Sequence, residues 1–147
     1  MAVVYLHIGE PKTGTTALQR RLAAGRAELR KQGVLYPGTE INHFYASLAA
    51  CDIFYAGGPG DDAAWKGILG EIARWDGTVV LSSEVFCWAD ERGAQLVADD
   101  LRDHDVRIVH TIRPFDRLLP SAYQEDVKNG RPQQFGRWLE LIRRGGD

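Results

Sequence analysis

The chain consists of short apolar runs separated by longer stretches in which apolar residues recur at helical spacing. The runs at residues 3–8, 78–82 and 107–112 are nearly continuous and rich in β-branched residues, which is typical of strands buried in a parallel sheet. A shorter extended piece at residues 34–36 ends in a Pro-Gly turn. Because strands alternate with helices, the pattern predicts an α/β fold with three layers, a parallel sheet flanked by helices.

Helical spacing predicts six helices. Their bounds are about Thr15–Lys31, Phe44–Ala50, Ala63–Trp75, Glu91–Asp103, Phe115–Lys128 and Gln134–Arg143. In the first helix Leu18, Leu22 and Leu29 form the apolar face. Pro120 disfavours the first turns of the fifth helix, so we expect that helix to start late or to be distorted. The length favours one domain, residues 1–147, with a sizeable core.

The segment between the first strand and the first helix has the composition of an anion-binding loop. It reads Gly9-Glu10-Pro11-Lys12-Thr13-Gly14-Thr15-Thr16. Backbone amides at the start of the helix, the hydroxyls of the threonines and the lysine all favour a bound phosphate-like group. In the common nucleoside-triphosphate loop, G-x-x-x-x-G-K-[ST], the lysine follows the second glycine. Here Thr15 has that position and Lys12 lies three residues earlier, which argues against ATP hydrolysis.

Two residues are candidates for a general base. Glu84 follows the second predicted strand in the sequence Ser82-Ser83-Glu84, and ligands of α/β proteins bind at the carboxyl ends of the strands. The alternative is that Glu84 caps a helix or pairs with a basic neighbour. His43 is the second candidate, because it lies among residues 36–62, where we expect contacts to an acceptor. The alternative is a structural histidine beside aromatic residues.

Residues 11–16 resemble the 5′-phosphosulfate loop, P-K-[ST]-G-T-T, of sulfotransferases that use 3′-phosphoadenosine 5′-phosphosulfate (PAPS). A second match is Arg113 at the end of a strand, with Ser121 eight residues later. In the family these two residues bind the 3′-phosphate of PAPS, and an arginine fork with a hydroxyl suits a terminal phosphate. The resemblance implies a P-loop-like nucleotide-binding fold. It implies that the donor is bound by Pro11, Lys12, Thr13, Gly14, Thr15, Thr16, Arg113 and Ser121.

The resemblance implies a sulfotransferase. Such an enzyme transfers a sulfuryl group from PAPS to a hydroxyl or amine of a small-molecule, lipid or glycan acceptor. Lys12 would stabilise charge on the oxygen between phosphorus and sulfur, and Glu84 or His43 would take the proton of the acceptor. No His, Cys, Asp or Glu set has metal-ligand spacing, so we expect no metal. His7 and His110 lie within predicted strands and are interpreted as packing residues.

Two other functions remain open. In Ser82-Ser83-Glu84 an acidic residue follows a strand, as the acidic magnesium ligand of nucleoside triphosphatases does. This pattern would also fit a small-molecule kinase of the P-loop type. The third hypothesis is a catalytically incomplete nucleotide-binding module. Members of the family continue beyond this length with a segment that contains an R-x-G motif, and residues 144–146 do not match that motif convincingly. A shortened chain would leave an apolar flank of the sheet uncovered, which favours a homodimer.

Composition limits the kinds of partner and the cellular location that we expect for this chain. The formal net charge is −2, so no overall basic field favours nucleic acid. No apolar run reaches the roughly 20 residues that span a bilayer, and the N-terminus lacks the pattern of a signal peptide. The two cysteines, Cys51 and Cys87, are far apart in the sequence, which favours reduced thiols and a cytoplasmic location.

Overall fold

The computed structural model describes residues 1–55, 58–131 and 133–145. The chain divides into two compact units, Met1–Thr111 and a second unit from Ile112 onward. Each unit is described by itself.

The first unit alternates strands and helices. In chain order its elements are β1 (Val3–His7), α1 (Thr15–Ala24), α2 (Arg26–Lys31), β2 (Val34–Leu35), α3 (Phe44–Ala50), α4 (Asp62–Ala73), β3 (Thr78–Ser82), a 3₁₀ helix (Glu84–Trp88), α5 (Glu91–Asp100) and β4 (Asp105–Val109).

The four strands form one sheet in the order β2-β3-β1-β4, and every neighbouring pair is parallel. The register places His7 of β1 beside Ser82 of β3 and Val109 of β4. The structure therefore confirms the predicted α/β class and the parallel sheet with flanking helices. Because parallel strands end at the same edge, the loop after β1, Glu84 after β3 and Thr111 after β4 all lie at that edge.

The core of this unit consists of apolar side chains from the strands and from α3, α4 and α5. Val4, Val79 and Leu81 are fully buried in the sheet. This burial explains the nearly continuous apolar runs of β1 and β3. The run of β4 was also predicted to be buried, but that strand lies at the edge of the sheet and is largely exposed, with Ile108 58% exposed. Trp65 of α4 is also buried, and its indole N–H donates to a carboxylate oxygen of Asp100 at 2.7 Å, so that its polar group is satisfied.

The prediction of the first helix, Thr15–Lys31, is wrong in two respects. The helix is divided at Gly25, which follows the last residue of α1 and precedes α2, in keeping with the low helix propensity of glycine. Its inward face is also different: Leu18 is 43% exposed, whereas Thr15 and Gln19 are buried. The start of α1 packs against polar groups at the sheet edge, so polar side chains face inward there.

The last strand also differs from its prediction. β4 covers Asp105–Val109, so residues 110–112 lie outside the sheet. The reason is that β1, its only neighbour among the described strands, ends at His7, after which the chain turns into the loop. His110 is therefore not a packing residue: its side chain is 44% exposed and lies 3.7 Å from the carboxylate of Glu10.

The second unit contains α6 (Phe115–Lys128) and α7 (Phe135–Arg143). The predicted bounds of α6 are confirmed, and the helix does not start late, although Pro120 lies inside it and cannot donate to the carbonyl of Asp116. Tyr123, Phe135 and Trp138 pack their rings together with centroids 5.1–5.9 Å apart. These three rings join the two helices.

Across the described ranges, no helix combines the length and apolar character that crossing a membrane requires. Cys51, which is buried, and Cys87 are both free thiols.

We expect Leu81→Ala to lower the free energy of unfolding by about 2–5 kcal/mol, because the leucine is fully buried between strands and helices and its removal leaves a cavity. Leu96→Ala on α5 is the matched control, since Leu96 is 37% exposed. Urea unfolding of both variants measures the difference. Equal losses would contradict this account of the core.

Candidate functional site

The loop after β1 has the backbone geometry of an anion-binding turn. Thr13 donates its N–H to the carbonyl of Glu10 at 3.3 Å, and Lys12 and Gly14 have positive φ angles of 69° and 91°. Left-handed residues alternating with others turn successive N–H groups toward one side. Gly14 immediately precedes α1, and its carbonyl accepts the N–H of Ala17 at 3.1 Å, so the amides of Thr15 and Thr16 are those of the first turn that the helix itself leaves without an acceptor. The loop thus brings N–H groups, a lysine and a helix N-terminus together.

Gly9 lets this loop pass close to the sheet. A Cβ at Gly9 would overlap with the Thr111 hydroxyl and the Thr15 methyl group. The loop is also paired with the segment after β4, because Glu10 donates its N–H to the carbonyl of Thr111 at 3.4 Å. Glycine is therefore required here by close approach and not by an unusual φ angle.

The hydroxyls of the loop threonines have different partners. Thr13 donates to the carbonyl of Glu10 at 2.6 Å, and Thr15 donates to Oε1 of Glu84 at 2.6 Å. Thr16 is exposed at the helix start. In the structure, therefore, the hydroxyls of Thr13 and Thr15 stabilise the loop, and the backbone amides, Thr16 and Lys12 are the groups with which the loop would bind an anion.

Glu84 joins the loop to the end of β3. Ser83 begins the 3₁₀ helix by accepting a hydrogen bond from the N–H of Val85 at 3.2 Å. This turn directs Glu84 toward α1, where its two carboxylate oxygens accept from Thr15 at 2.6 Å and from Nε2 of Gln19 at 3.4 Å. The structure brings together two features predicted separately, the loop and the acidic residue after β3.

A chain of hydrogen bonds runs beneath the loop. Thr13 donates to a backbone carbonyl, so its contact with Thr111 at 3.3 Å makes Thr111 the donor. Thr111 then accepts from Nε2 of His7 at 3.1 Å. Nδ1 of His7 lies 2.8 Å from the Ser82 hydroxyl, and in the neutral ring it accepts that proton. Burial lowers the pKa of His7, which favours this neutral form, and the charge of Glu84 acts in the opposite direction.

His43 connects α3 to the sheet. Its Nδ1 accepts the backbone N–H of Ser82 at 3.0 Å, so its Nε2 donates to the carbonyl of Pro37, also at 3.0 Å. Burial is the main cause that lowers its pKa, to about 4. Both ring nitrogens are thus bonded to the backbone, and neither is directed to an acceptor. A catalytic role for His43 stays a prediction, and this geometry favours its structural alternative.

The remaining predicted residues are Pro11, Arg113 and Ser121. Pro11 is exposed in the loop turn. Arg113 and Ser121 belong to the second unit, where Arg113 comes just before the helix and Ser121 lies in the second turn of α6. Both are partly buried within the chain. Their role in binding a 3′-phosphate stays a prediction.

A cavity of about 800 Å³ lies next to α1, the helix that follows the loop. Its wall includes Thr16 and Arg20 of α1, Asn42 before α3, and Ile68 and Glu71 of α4. This volume is in the range of small-molecule sites. The cavity lies largely within residues 36–62 and α4, the region in which we expect contacts to an acceptor.

Sequence reasoning missed Gln19, Asn42 and Thr111. One signal was present: Thr15 and Gln19 are four residues apart and therefore share a helix face. The leucines at neighbouring positions hid that signal, because an apolar face is normally the buried one. No local pattern marks Thr111, which reaches the site only because β4 ends beside β1.

Comparison with protein-family models, with curated proteins and with solved structures gives no significant match. The described part of the chain holds no group of three or more His, Cys, Asp or Glu residues arranged to bind a metal ion.

We expect the free energy of unfolding to fall by about 2 kcal/mol between pH 7.5 and pH 5.0 because of His43. In the unfolded chain this histidine takes up a proton near pH 6.5, whereas burial lowers the pKa of the folded form to about 4. The unfolded state therefore binds more protons as the pH falls through this range, and His7 acts in the same direction. Urea unfolding at the two pH values measures the loss.

His110→Gln is the control for this experiment. The His110 side chain is 44% exposed, so the variant should keep the same pH dependence. Equal stability of the wild-type chain at the two pH values would contradict the buried neutral state of His43.

Proposed function

We propose that the chain is a PAPS-dependent sulfotransferase. The observation that carries the proposal is the 2.6 Å hydrogen bond from Thr15 to Glu84, which places a carboxylate directly beside the anion-binding loop. Transfer of a sulfuryl group needs an anion site for the donor and a base for the acceptor at adjacent positions. The loop and Glu84 offer these two groups on neighbouring strand ends.

In this proposal the chain's residues position and stabilise charge. The loop amides and Lys12 bind the 5′-phosphosulfate end of the donor, and Lys12 stabilises negative charge that develops on the bridging oxygen. Glu84 takes the proton of the acceptor hydroxyl or amine. A bond forms between the acceptor atom and sulfur, the bond from sulfur to the bridging oxygen breaks, and adenosine 3′,5′-bisphosphate leaves. Arg113 and Ser121 are the residues proposed to bind its 3′-phosphate.

The choice of nucleotide follows from the charges of the loop. In triphosphate-binding loops a lysine lies at the position of Thr15, and the acidic side chain nearby binds magnesium. Here the residue at that position is neutral and donates its hydroxyl to Glu84. The loop has one basic residue, Lys12, and one acidic residue, Glu10, and the carboxylate of Glu84 lies beside it. Its side chains therefore supply no net positive charge, which suits a phosphosulfate better than a more highly charged triphosphate. We further infer a P-loop-like fold, because the loop joins an inner strand, β1, to α1.

A P-loop small-molecule kinase is the second candidate. The observation that favours it is the position of Glu84 at the end of β3, beside the first turn of α1, where it would act as a magnesium ligand. A catalytically incomplete nucleotide-binding module would use the same loop without turnover. A cytoplasmic location and a homodimer also stay proposals, supported respectively by the two free thiols and by the exposed Ile108 of β4.

We expect the chain to bind adenosine 3′,5′-bisphosphate at least tenfold more tightly than 5′-AMP or ATP with Mg²⁺, a difference of about 1.4 kcal/mol. Lys12→Ala should weaken binding of the bisphosphate, because it removes the loop's only cationic side chain. Lys31→Ala, at an exposed position paired with Glu28, should not. Calorimetric titration measures all of these affinities. Preference for ATP with Mg²⁺ would support the kinase and refute the sulfotransferase.

We expect Glu84→Gln to lower the rate of sulfuryl transfer by about 10²- to 10⁴-fold, the usual contribution of a general base. The amide keeps the shape of the side chain but does not accept the proton of the acceptor. Glu91→Gln, in the exposed first turn of α5, is the matched control. Transfer from radiolabelled PAPS to phenol and to an aliphatic alcohol gives the rates. Binding of the bisphosphate without any transfer would favour the incomplete module.

A further inference from the structure

We propose that Gln19 is a positioning residue, which orients the carboxylate of Glu84, and that Asn42 fixes the orientation of Gln19. The inference deepens the proposed function, because it rests on Glu84 as the general base. Gln19 is fully buried, although it is a polar residue on the first turns of the helix that follows the anion loop. A buried amide is costly unless its hydrogen-bonding groups are satisfied, so its partners define what it does.

The orientation of the Gln19 amide follows from a backbone group on one side. The N–H of Phe44 donates to Oδ1 of Asn42 at 3.2 Å. This makes the other end of the Asn42 amide, Nδ2, the donor to Oε1 of Gln19 at 3.4 Å. Nε2 of Gln19 must then face Glu84 and Ser82.

A second chain of bonds requires the same orientation. It starts at the carbonyl of Glu10 and passes through Thr13, Thr111 and His7 to the Ser82 hydroxyl, which donates to His7. The Ser82 oxygen is therefore an acceptor toward Gln19, whose Nε2 lies 3.2 Å away. The two hydrogens of this amide group are thus used by Ser82 and by Oε2 of Glu84, at 3.4 Å. Both chains begin at backbone groups, and neither depends on the other.

This arrangement fixes the plane of the base. Thr15 donates to Oε1 of Glu84 and Gln19 donates to Oε2, so the carboxylate is bonded at both oxygens and cannot rotate without losing a bond. A flipped Gln19 amide would turn its carbonyl oxygen toward the carboxylate, which is repulsive. Asn42 also forms part of the wall of the 800 Å³ cavity. Through Gln19, therefore, one residue of the cavity wall is linked to the base.

The test is a double-mutant cycle on the rate of transfer. Gln19→Met keeps the length of the side chain but removes both donors, and we expect it to lower the maximal rate at least tenfold while the affinity for adenosine 3′,5′-bisphosphate changes less than threefold. In the Glu84→Gln background the same substitution should lower the rate less than twofold, because Gln19 acts through Glu84. A purely structural role would give the same loss in both backgrounds and would overturn the proposal.

A second readout uses the acidity of the acceptor. 4-Nitrophenol loses its proton easily and needs little help from a base, whereas an aliphatic alcohol needs more. Gln19→Met should therefore reduce transfer to the alcohol at least fivefold more than transfer to 4-nitrophenol. Equal losses with both acceptors would contradict a role in orienting the base. Gln95→Met, the same change at an exposed position on α5, is the control and should leave both rates unchanged.

Asn42→Asp tests the link without emptying the buried site. The aspartate keeps the acceptor for the N–H of Phe44 but replaces the donor to Gln19 by an oxygen, which favours the flipped Gln19 amide. We expect a loss of rate in the same direction as for Gln19→Met, with bisphosphate affinity retained. Thermal unfolding shows whether each variant is folded. A folded Asn42→Asp variant with the wild-type rate would overturn the role of Asn42.

The outcomes separate this inference from the proposed function. A wild-type chain that does not bind the bisphosphate refutes the sulfotransferase. A chain that binds it but transfers to neither acceptor is tested by single-turnover hydrolysis of PAPS, with water as the acceptor, through the same cycle of variants. If that hydrolysis is no faster than the protein-free reaction, the assignment of Glu84 fails, and that of Gln19 fails with it.

Discussion

The hydrogen bond between Thr15 and Glu84 is the interaction on which the arrangement of the site depends. It joins the first residue of α1 to the first residue of the 3₁₀ helix that follows β3, and thereby holds the loop against the sheet edge. A hydrogen bond to a charged group contributes about 1.5–3 kcal/mol, more than most single bonds between neutral groups. Without it, the carboxylate would lose its shortest contact with the loop, and Gln19 alone would join it to α1.

The polar groups behind that bond are buried, and their burial requires that every one be paired. Gln19, Ser82 and Ser47 are fully buried, and His7 and His43 nearly so. Among the described residues, no buried side-chain nitrogen or oxygen lacks a hydrogen-bond partner. A network that is completely satisfied has a single low-energy arrangement, whereas a partly satisfied one has several. The sheet edge is therefore rigid as a result of its polar contacts, in addition to the apolar packing of the core.

The fold could largely be predicted because its signals are local. The apolar runs of β1 and β3 and the helical spacing of α6 depend on residues adjacent in sequence. The division at Gly25 and the early end of β4 were missed, since the first depends on a marginal helix propensity and the second on where a neighbouring strand ends.

The site was predictable only in part, for the same physical reason. Lys12, the loop glycines and Glu84 were recognisable because each follows a strand, and strand ends meet at one edge of a parallel sheet. The burial of Gln19 was not, because it depends on a carboxylate 65 residues away in the sequence. The structural role of His43 could not be predicted for a similar reason. Its partners, the Ser82 amide and the Pro37 carbonyl, are backbone groups, which no side-chain pattern reveals.

The positive φ angle of Lys12 has a consequence for how far this loop can be stabilised. A left-handed backbone costs a residue with a side chain about 1–3 kcal/mol, and glycine would avoid most of that cost. Glycine, however, has no ammonium group. At this position a residue can either relieve the backbone strain, as glycine would, or carry a positive charge, as lysine does. Selection for thermal stability alone would therefore tend to remove the lysine.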